Sequence, residues 1–154
     1  LEEENDQRRK NSLFLNQLIS EKLGDFLEPL FVNPDSKTVH YADVLKITDE
    51  GTRSIDAEYL TVLEGSSLPI RKTWSPLHHH PNFNPCENRK PARGLPWELG
   101  AYDGKMRHTQ YKNLHLPVVE RFCPHKILEV YVHPPCAERE MLTALKHLKR
   151  LFKK

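Results

Sequence analysis

The sequence has few of the features that define a secreted or membrane protein. Its 154 residues include only 6 glycines and 3 cysteines. Disulfide-stapled secreted domains carry more cysteines, and in even number, so we expect an intracellular reducing compartment, cytoplasm or mitochondrion. No apolar run approaches the roughly 18–20 residues that span a bilayer, so we expect no membrane insertion. The acidic opening, residues 2–6, is unlike a signal or transit peptide, and a lost targeting segment stays open because residue 1 is leucine.

Catalytic motifs are also lacking. The sequence has no Gly-x-Ser-x-Gly elbow, no glycine-rich phosphate loop and no Cys–His pair in a recognisable context. Its acidic residues occur mainly where a helix or loop would be solvated. The sequence therefore predicts a non-catalytic protein without a cofactor.

Charge is distributed unevenly along the chain. Residues 1–65 contain 14 Asp and Glu against 7 Lys and Arg, whereas residues 66–154 contain 7 against 16. Eight of the nine histidines also lie in the second part. This asymmetry favours a basic surface that faces a polyanion, with an acidic part held away from it. The alternative is two solvated faces that attract each other.

The hydrophobic pattern predicts an α+β fold made of two units. An N-terminal α-β-β unit, residues 1–65, and a C-terminal β-β-α unit, residues 117–154, would form one four-stranded domain. A long proline-rich extended arm, residues 66–116, would join them. Apolar spacing predicts helices over 11–31 and 137–152, and strands over 38–48, 55–63, 116–122 and 126–132.

The arm carries the candidate binding residues. Six prolines between residues 66 and 116 exclude a long helix or a central strand, and the rings among them have no local core to enter. Cations meet phosphates and aromatic faces stack on unpaired bases, so this mixture is typical of RNA binding. A protein surface would favour the same residue types. The candidate RNA- or partner-binding residues are Arg71, Lys72, Trp74, Arg89, Lys90, Arg93, Trp97, Arg107, Tyr111 and Lys112.

The triplet His78-His79-His80 is a possible source of metal ligands. In an extended arm, alternate side chains point to the same side, so His78 and His80 would share a site and Cys86 could join them. This spacing matches no known zinc module. We therefore predict no metal ligands, and a zinc site at these three residues remains an alternative.

Together these patterns predict a structural subunit of a large assembly, most simply a ribonucleoprotein such as a cytosolic or mitochondrial ribosome. The C-terminal part resembles the small α+β modules of ribosomal proteins in architecture, although no motif carries the resemblance to particular residues. The arm would contact RNA and neighbouring protein subunits. Two alternatives stay open: a protein-only scaffold subunit of a filament or microtubule, and a small zinc-binding factor.

Overall fold

A computed structural model describes residues 1–33, 35–80, 113–123 and 126–152. The chain divides into two compact units: residues 1–73 with 125–154, here called the sheet unit, and residues 74–124, here called the histidine unit. The predicted boundaries at 65 and 116 stay predictions, because residues 81–112 of the arm lie outside the described residues. In chain order, the elements are α1 (Glu2–Leu23), β1 (Leu27–Pro29), β2 (Ala42–Ile47), α2 (Asp49–Ser54), α3 (Ala57–Glu64), β3 (Ile70–Lys72), a 3-10 turn (Leu77–His79), α4 (Pro117–Phe122), β4 (Ile127–Tyr131) and α5 (Glu138–Leu151).

The four strands form one antiparallel sheet in the order β1-β2-β4-β3. In register, Leu45 of β2 lies opposite Leu128 of β4, and Ile70 of β3 lies opposite Val130. Side chains alternate between the faces of a strand, and β2 and β4 bury every second residue, so one face of the sheet is the core face. The α+β class predicted from the sequence is confirmed.

Helices α1 and α5 supply much of the rest of the core. Leu15 and Ile19 of α1, and Met141 and Leu148 of α5, are fully buried in one hydrophobic cluster with the core face of the sheet. The predicted C-terminal helix is confirmed as α5, and its apolar stripe recurs every three or four residues, as an amphipathic helix requires. No helix among the described residues is both long enough and apolar enough to cross a membrane.

Helix α1 is fixed by a buried polar anchor as well as by apolar packing. The Asn11 side chain is 1% exposed, and its amide nitrogen donates to the carbonyl oxygens of Val132 and Cys136, both at 2.8 Å. These carbonyls belong to the connection between β4 and α5. A buried carbonyl without a hydrogen-bond partner is costly. The Asn11 side chain supplies that partner to both carbonyls and thereby also fixes the position of α1.

The prediction of a strand over 55–63 is wrong, because these residues include helix α3. Asp56 caps the helix, and its carboxylate accepts a hydrogen bond from the Tyr59 amide at 2.8 Å. The buried residues of α3 are Tyr59, Leu60 and Leu63, which share one face of a helix, whereas Tyr59 and Leu60 would lie on opposite faces of a strand. The segment between the two predicted strands, 38–48 and 55–63, is also helical: it forms α2, which Thr48 caps by accepting a hydrogen bond from the Gly51 amide at 3.0 Å.

The prediction of a strand over 116–122 is also wrong. Residues 117–122 form helix α4, with Pro117 at its start. Proline is well suited to the first turn of a helix, where its missing N–H has no intrahelical partner. Proline is also tolerated in an edge strand, so this residue by itself does not distinguish the two structures.

The first helix differs from its predicted range of 11–31 at both ends. It begins at Glu2, where three acidic residues in the first turn interact favourably with the helix dipole. It ends at Leu23, and strand β1 then begins within the range predicted as helix. Strand β3 lies inside the predicted arm, and Pro69 permits it because β3 is an edge strand. The Pro69 carbonyl accepts a hydrogen bond from the Tyr131 amide at 2.8 Å.

Candidate functional site

Three of the predicted binding residues lie in the described part of the chain. In the sheet unit, the Arg71 guanidinium lies 2.6 Å from a carboxylate oxygen of Glu129 and stacks over the Tyr131 ring. Lys72 lies 3.3 Å from Glu64. Both cations therefore already have a carboxylate partner. In the histidine unit, the side chain of Trp74 is 64% exposed, and its predicted part in binding stays a prediction.

The other predicted binding residues stay predictions because they lie outside the described residues. These are Arg89, Lys90, Arg93, Trp97, Arg107, Tyr111 and Lys112.

The histidine unit brings together side chains that are far apart in the sequence. His78 and His79 lie in the 3-10 turn, and their ring centroids are 4.0 Å apart. His78 Nε2 is 3.3 Å from Oε1 of Glu120, which lies on helix α4. His78, His79 and Glu120 each offer a ligand atom, and these atoms lie within 4.8 Å of one another. We call this set the His–Glu cluster.

The His–Glu cluster differs from the histidine pair expected from the sequence. The prediction placed His78 and His80 on one side of an extended chain. In the 3-10 turn successive side chains are about 120° apart instead of on opposite sides, and the rings of His78 and His79 are in contact. Cys86 lies outside the described residues, so its part in a metal site is not addressed by the structure.

The carboxylate of Glu120 is held by two groups from the residues just before helix α4. The Leu116 amide donates to Glu120 Oε1 at 2.7 Å, and His115 Nδ1 lies 2.6 Å from Oε2. The Leu116 amide and the neighbouring His115 and His78 hold the pKa of Glu120 below its usual value. Glu120 is therefore an ionised acceptor with a fixed orientation.

Sequence reasoning missed Glu120, His79 and His115. Their proximity depends on contacts across about forty residues, which no local spacing reveals. One local signal was present: Leu116-Pro117 marks a helix start, and a glutamate in the next turn can reach back to the amide at that start.

A second polar site lies in the sheet unit beneath α1. Asp43 of β2 is 4% exposed, and its Oδ1 accepts a hydrogen bond from the Ser12 hydroxyl at 3.1 Å. Oδ2 is buried and has no hydrogen-bond partner among the described residues. Burial raises the pKa of Asp43 to about 6, against the opposing effect of hydrogen bonds from Ser12 and Asn16. His40 Nδ1 lies 3.8 Å away, and burial lowers the pKa of His40.

A groove of about 680 Å³ lies beside this site, between α1 and the segment that joins β1 to β2. Its lining includes the polar side chains of Arg9, Ser12, Asn16 and His40. The groove is more apolar than polar, and the exposed side chains of Leu13 and Leu30 also line it.

The chain matches no protein-family model, and no curated protein matches its sequence. Among solved structures it is similar to DesI, whose crystal structure was analysed in the presence of its TDP-sugar product. The TM-score is 0.54 at 17% sequence identity, and the match covers 96% of this chain and 31% of the DesI chain. This likeness is one of fold. The chain spans about a third of the length of the structure that it matches.

This comparison overturns the prediction of a non-catalytic protein. DesI is described with a sugar product, so a chain of this fold without a catalytic motif can form part of an enzyme. The absence of a motif could not exclude catalysis, because catalytic residues converge in space and need not be neighbours in the sequence.

Proposed function

We propose that this chain is the smaller α+β part of an enzyme that acts on a nucleotide-activated sugar. The observation that carries the proposal is the fold similarity to DesI over 96% of this chain, combined with the TDP-sugar product of that enzyme. The share of DesI that is matched, 31%, suits a part that contributes to a larger active site.

The composition of the arm supports such a substrate. A nucleoside diphosphate sugar presents two phosphates, a base and a hydroxyl-rich ring. Arginines pair with phosphates through two parallel hydrogen bonds, and aromatic faces stack on bases. Arg89, Arg93 and Trp97 supply these groups within nine residues of sequence, and Trp74 is exposed nearby in the sequence.

The test is a calorimetric titration of the natural polypeptide, purified from its own cells, with a TDP-hexose. Replacing both Arg89 and Arg93 with glutamine should weaken binding at least 10-fold, because a hydrogen bond to a charged group contributes about 1.5–3 kcal/mol. The matched control replaces Lys37 and Arg53 with glutamine. Their side chains are 72% and 69% exposed, and they lie in the acidic half of the chain.

The control variant should bind as the wild type does. Failure of the wild-type polypeptide to bind the TDP-hexose at millimolar concentration would refute the proposal. Equal binding by the wild type and by the doubly substituted variant would show that Arg89 and Arg93 of the arm do not contribute to binding.

A second candidate is an RNA-contacting subunit of a ribonucleoprotein, which the charge asymmetry favours. Residues 66–154 carry 16 Lys and Arg against 7 Asp and Glu. RNA binding of this kind should weaken steeply with salt, with a log–log slope of about −0.7 per phosphate contact for a single strand. Binding that is absent or insensitive to salt would favour the protein-only scaffold that the sequence also left open.

A further inference from the structure

We propose that His78, His79 and Glu120 form a zinc-binding site in the histidine unit. The proposal is independent of the nucleotide-sugar proposal. It rests on three ligand atoms, from two segments of the chain, that lie within 4.8 Å of one another. Two imidazoles and one carboxylate are a known ligand set for zinc, and imidazole favours zinc and related transition metals over magnesium or calcium.

The distances are close to those that zinc requires. With bonds of about 2.0–2.2 Å at tetrahedral angles, two ligand atoms of one zinc lie about 3.4 Å apart. His78 Nε2 and Glu120 Oε1 are already 3.3 Å apart. The largest separation in the set, up to 4.8 Å, needs a contraction of about 1.4 Å, which rotation of one side chain can supply. The exposed side chain of His79 is the one with room to rotate.

The surroundings of Glu120 are those of a supported metal ligand. In metal sites, the ligating carboxylate is itself hydrogen-bonded, and these outer contacts fix its orientation. Glu120 has such contacts on both oxygens: the Leu116 amide donates to Oε1 at 2.7 Å, and His115 Nδ1 lies 2.6 Å from Oε2. His115 is 81% exposed, and we assign it to positioning the carboxylate.

The set leaves a coordination position for water or substrate. Three protein ligands with an open fourth position are typical of zinc sites that act on substrates, whereas structural sites use four. The side chain of Glu120 is 25% exposed and that of His78 is 5% exposed, so the ion would be partly shielded but reachable. It would also join the 3-10 turn to α4, since His78 and Glu120 are 42 residues apart.

The test is a zinc titration of the chelator-treated chain against a chromophoric chelator, repeated with Co²⁺ to read the coordination geometry from its visible spectrum. We expect one zinc per chain and the spectrum of four-coordinate cobalt. Glu120→Gln and His79→Gln should each weaken binding more than about 100-fold, and His115→Ala by about 10–100-fold, as is typical of an outer-contact residue. The matched control is His80→Gln, which changes the neighbouring histidine outside the His–Glu cluster and should leave zinc binding unchanged.

Glu120→His separates loss of a ligand from loss of the fold. It offers an imidazole nitrogen that reaches about as far from the backbone as the carboxylate, so zinc binding should return with a three-histidine ligand set. Circular dichroism of each metal-free variant checks the fold. The proposal is overturned if the wild type binds no zinc, if Glu120→Gln and His79→Gln bind as the wild type does, or if His80→Gln loses binding to the same extent as they do.

Discussion

The buried carboxyl of Asp43 makes the stability of the sheet unit depend on pH in a direction opposite to that of most carboxylates. Its pKa is about 6 in the folded chain and 3.8 in the reference state, because burial disfavours the charged form. Between these values the folded state binds more protons than the unfolded state. Asp43 therefore raises the free energy of unfolding at low pH, and this contribution is lost as the pH rises through about 6.

The size of the effect follows from the shift. Each pKa unit corresponds to 1.36 kcal/mol, so a shift from 3.8 to about 6 gives about 3 kcal/mol at most. Asp43→Asn removes the titration and keeps the shape, and the amide oxygen can still accept the Ser12 hydrogen bond. Part of this change falls below pH 4, so relative to the wild type the variant should gain about 2.4 kcal/mol in free energy of unfolding between pH 4 and pH 7.

The assay is urea unfolding followed by circular dichroism at intervals from pH 4 to pH 7.5, for the wild type and the Asp43→Asn variant. Any fixed penalty for burying the amide displaces the whole difference curve and leaves its slope with pH unchanged. Repeating both series in a His40→Gln background removes the nearby imidazole, which lies 3.8 Å from the carboxyl. A difference that does not vary with pH, or that moves in favour of the wild type as the pH rises, would refute the reasoning.

Two further predictions concern the packing of the sheet unit, and both can be measured by urea unfolding at pH 7. Gly51→Ala should lower the free energy of unfolding by about 1–3 kcal/mol, because the added methyl would meet the backbone carbonyl of Phe26. Gly65→Ala is its control, since a methyl there lies at ordinary contact distance, 3.8 Å, and an unchanged or raised stability is expected; equal losses at the two glycines would contradict the packing argument. Asn11→Ala should cost about 1–3 kcal/mol because it leaves the buried carbonyl of Val132 and the partly buried carbonyl of Cys136 without this donor, whereas Gln17→Ala on the exposed side of α1 should change little. Equal effects at Asn11 and Gln17 would show that the anchor does not stabilise the helix.

The sequence predicts those parts of the fold in which the hydrophobic pattern is compatible with one type of secondary structure. The run Ile127–Tyr131 is a short apolar β-branched strand, and residues 138–151 keep one apolar stripe over several turns. In residues 55–63, Ile55, Ala57 and Tyr59 alternate as in a strand, whereas Tyr59, Leu60 and Leu63 have helical spacing, and the cap at Asp56 also favours the helix. Pro117 is likewise compatible with an edge strand or with a helix start.

The candidate site could be predicted only in part, because it depends on tertiary contacts. The histidine triplet was visible in the sequence, where zinc binding was an alternative to the prediction of no metal ligands. Which two histidines share a site depends on whether the backbone is extended or turned at residues 77–79. That Glu120 faces them depends on how the chain returns 42 residues later, which no local pattern encodes.

The most direct test of the proposed function is a nuclear magnetic resonance titration of the isotope-labelled polypeptide with a TDP-hexose at physiological salt. The nucleotide-sugar proposal predicts saturable shift changes concentrated in the arm, residues 66–116, that are reproduced in part by TDP alone. Spectra that stay unchanged with the TDP-hexose, but shift on addition of RNA, would contradict it.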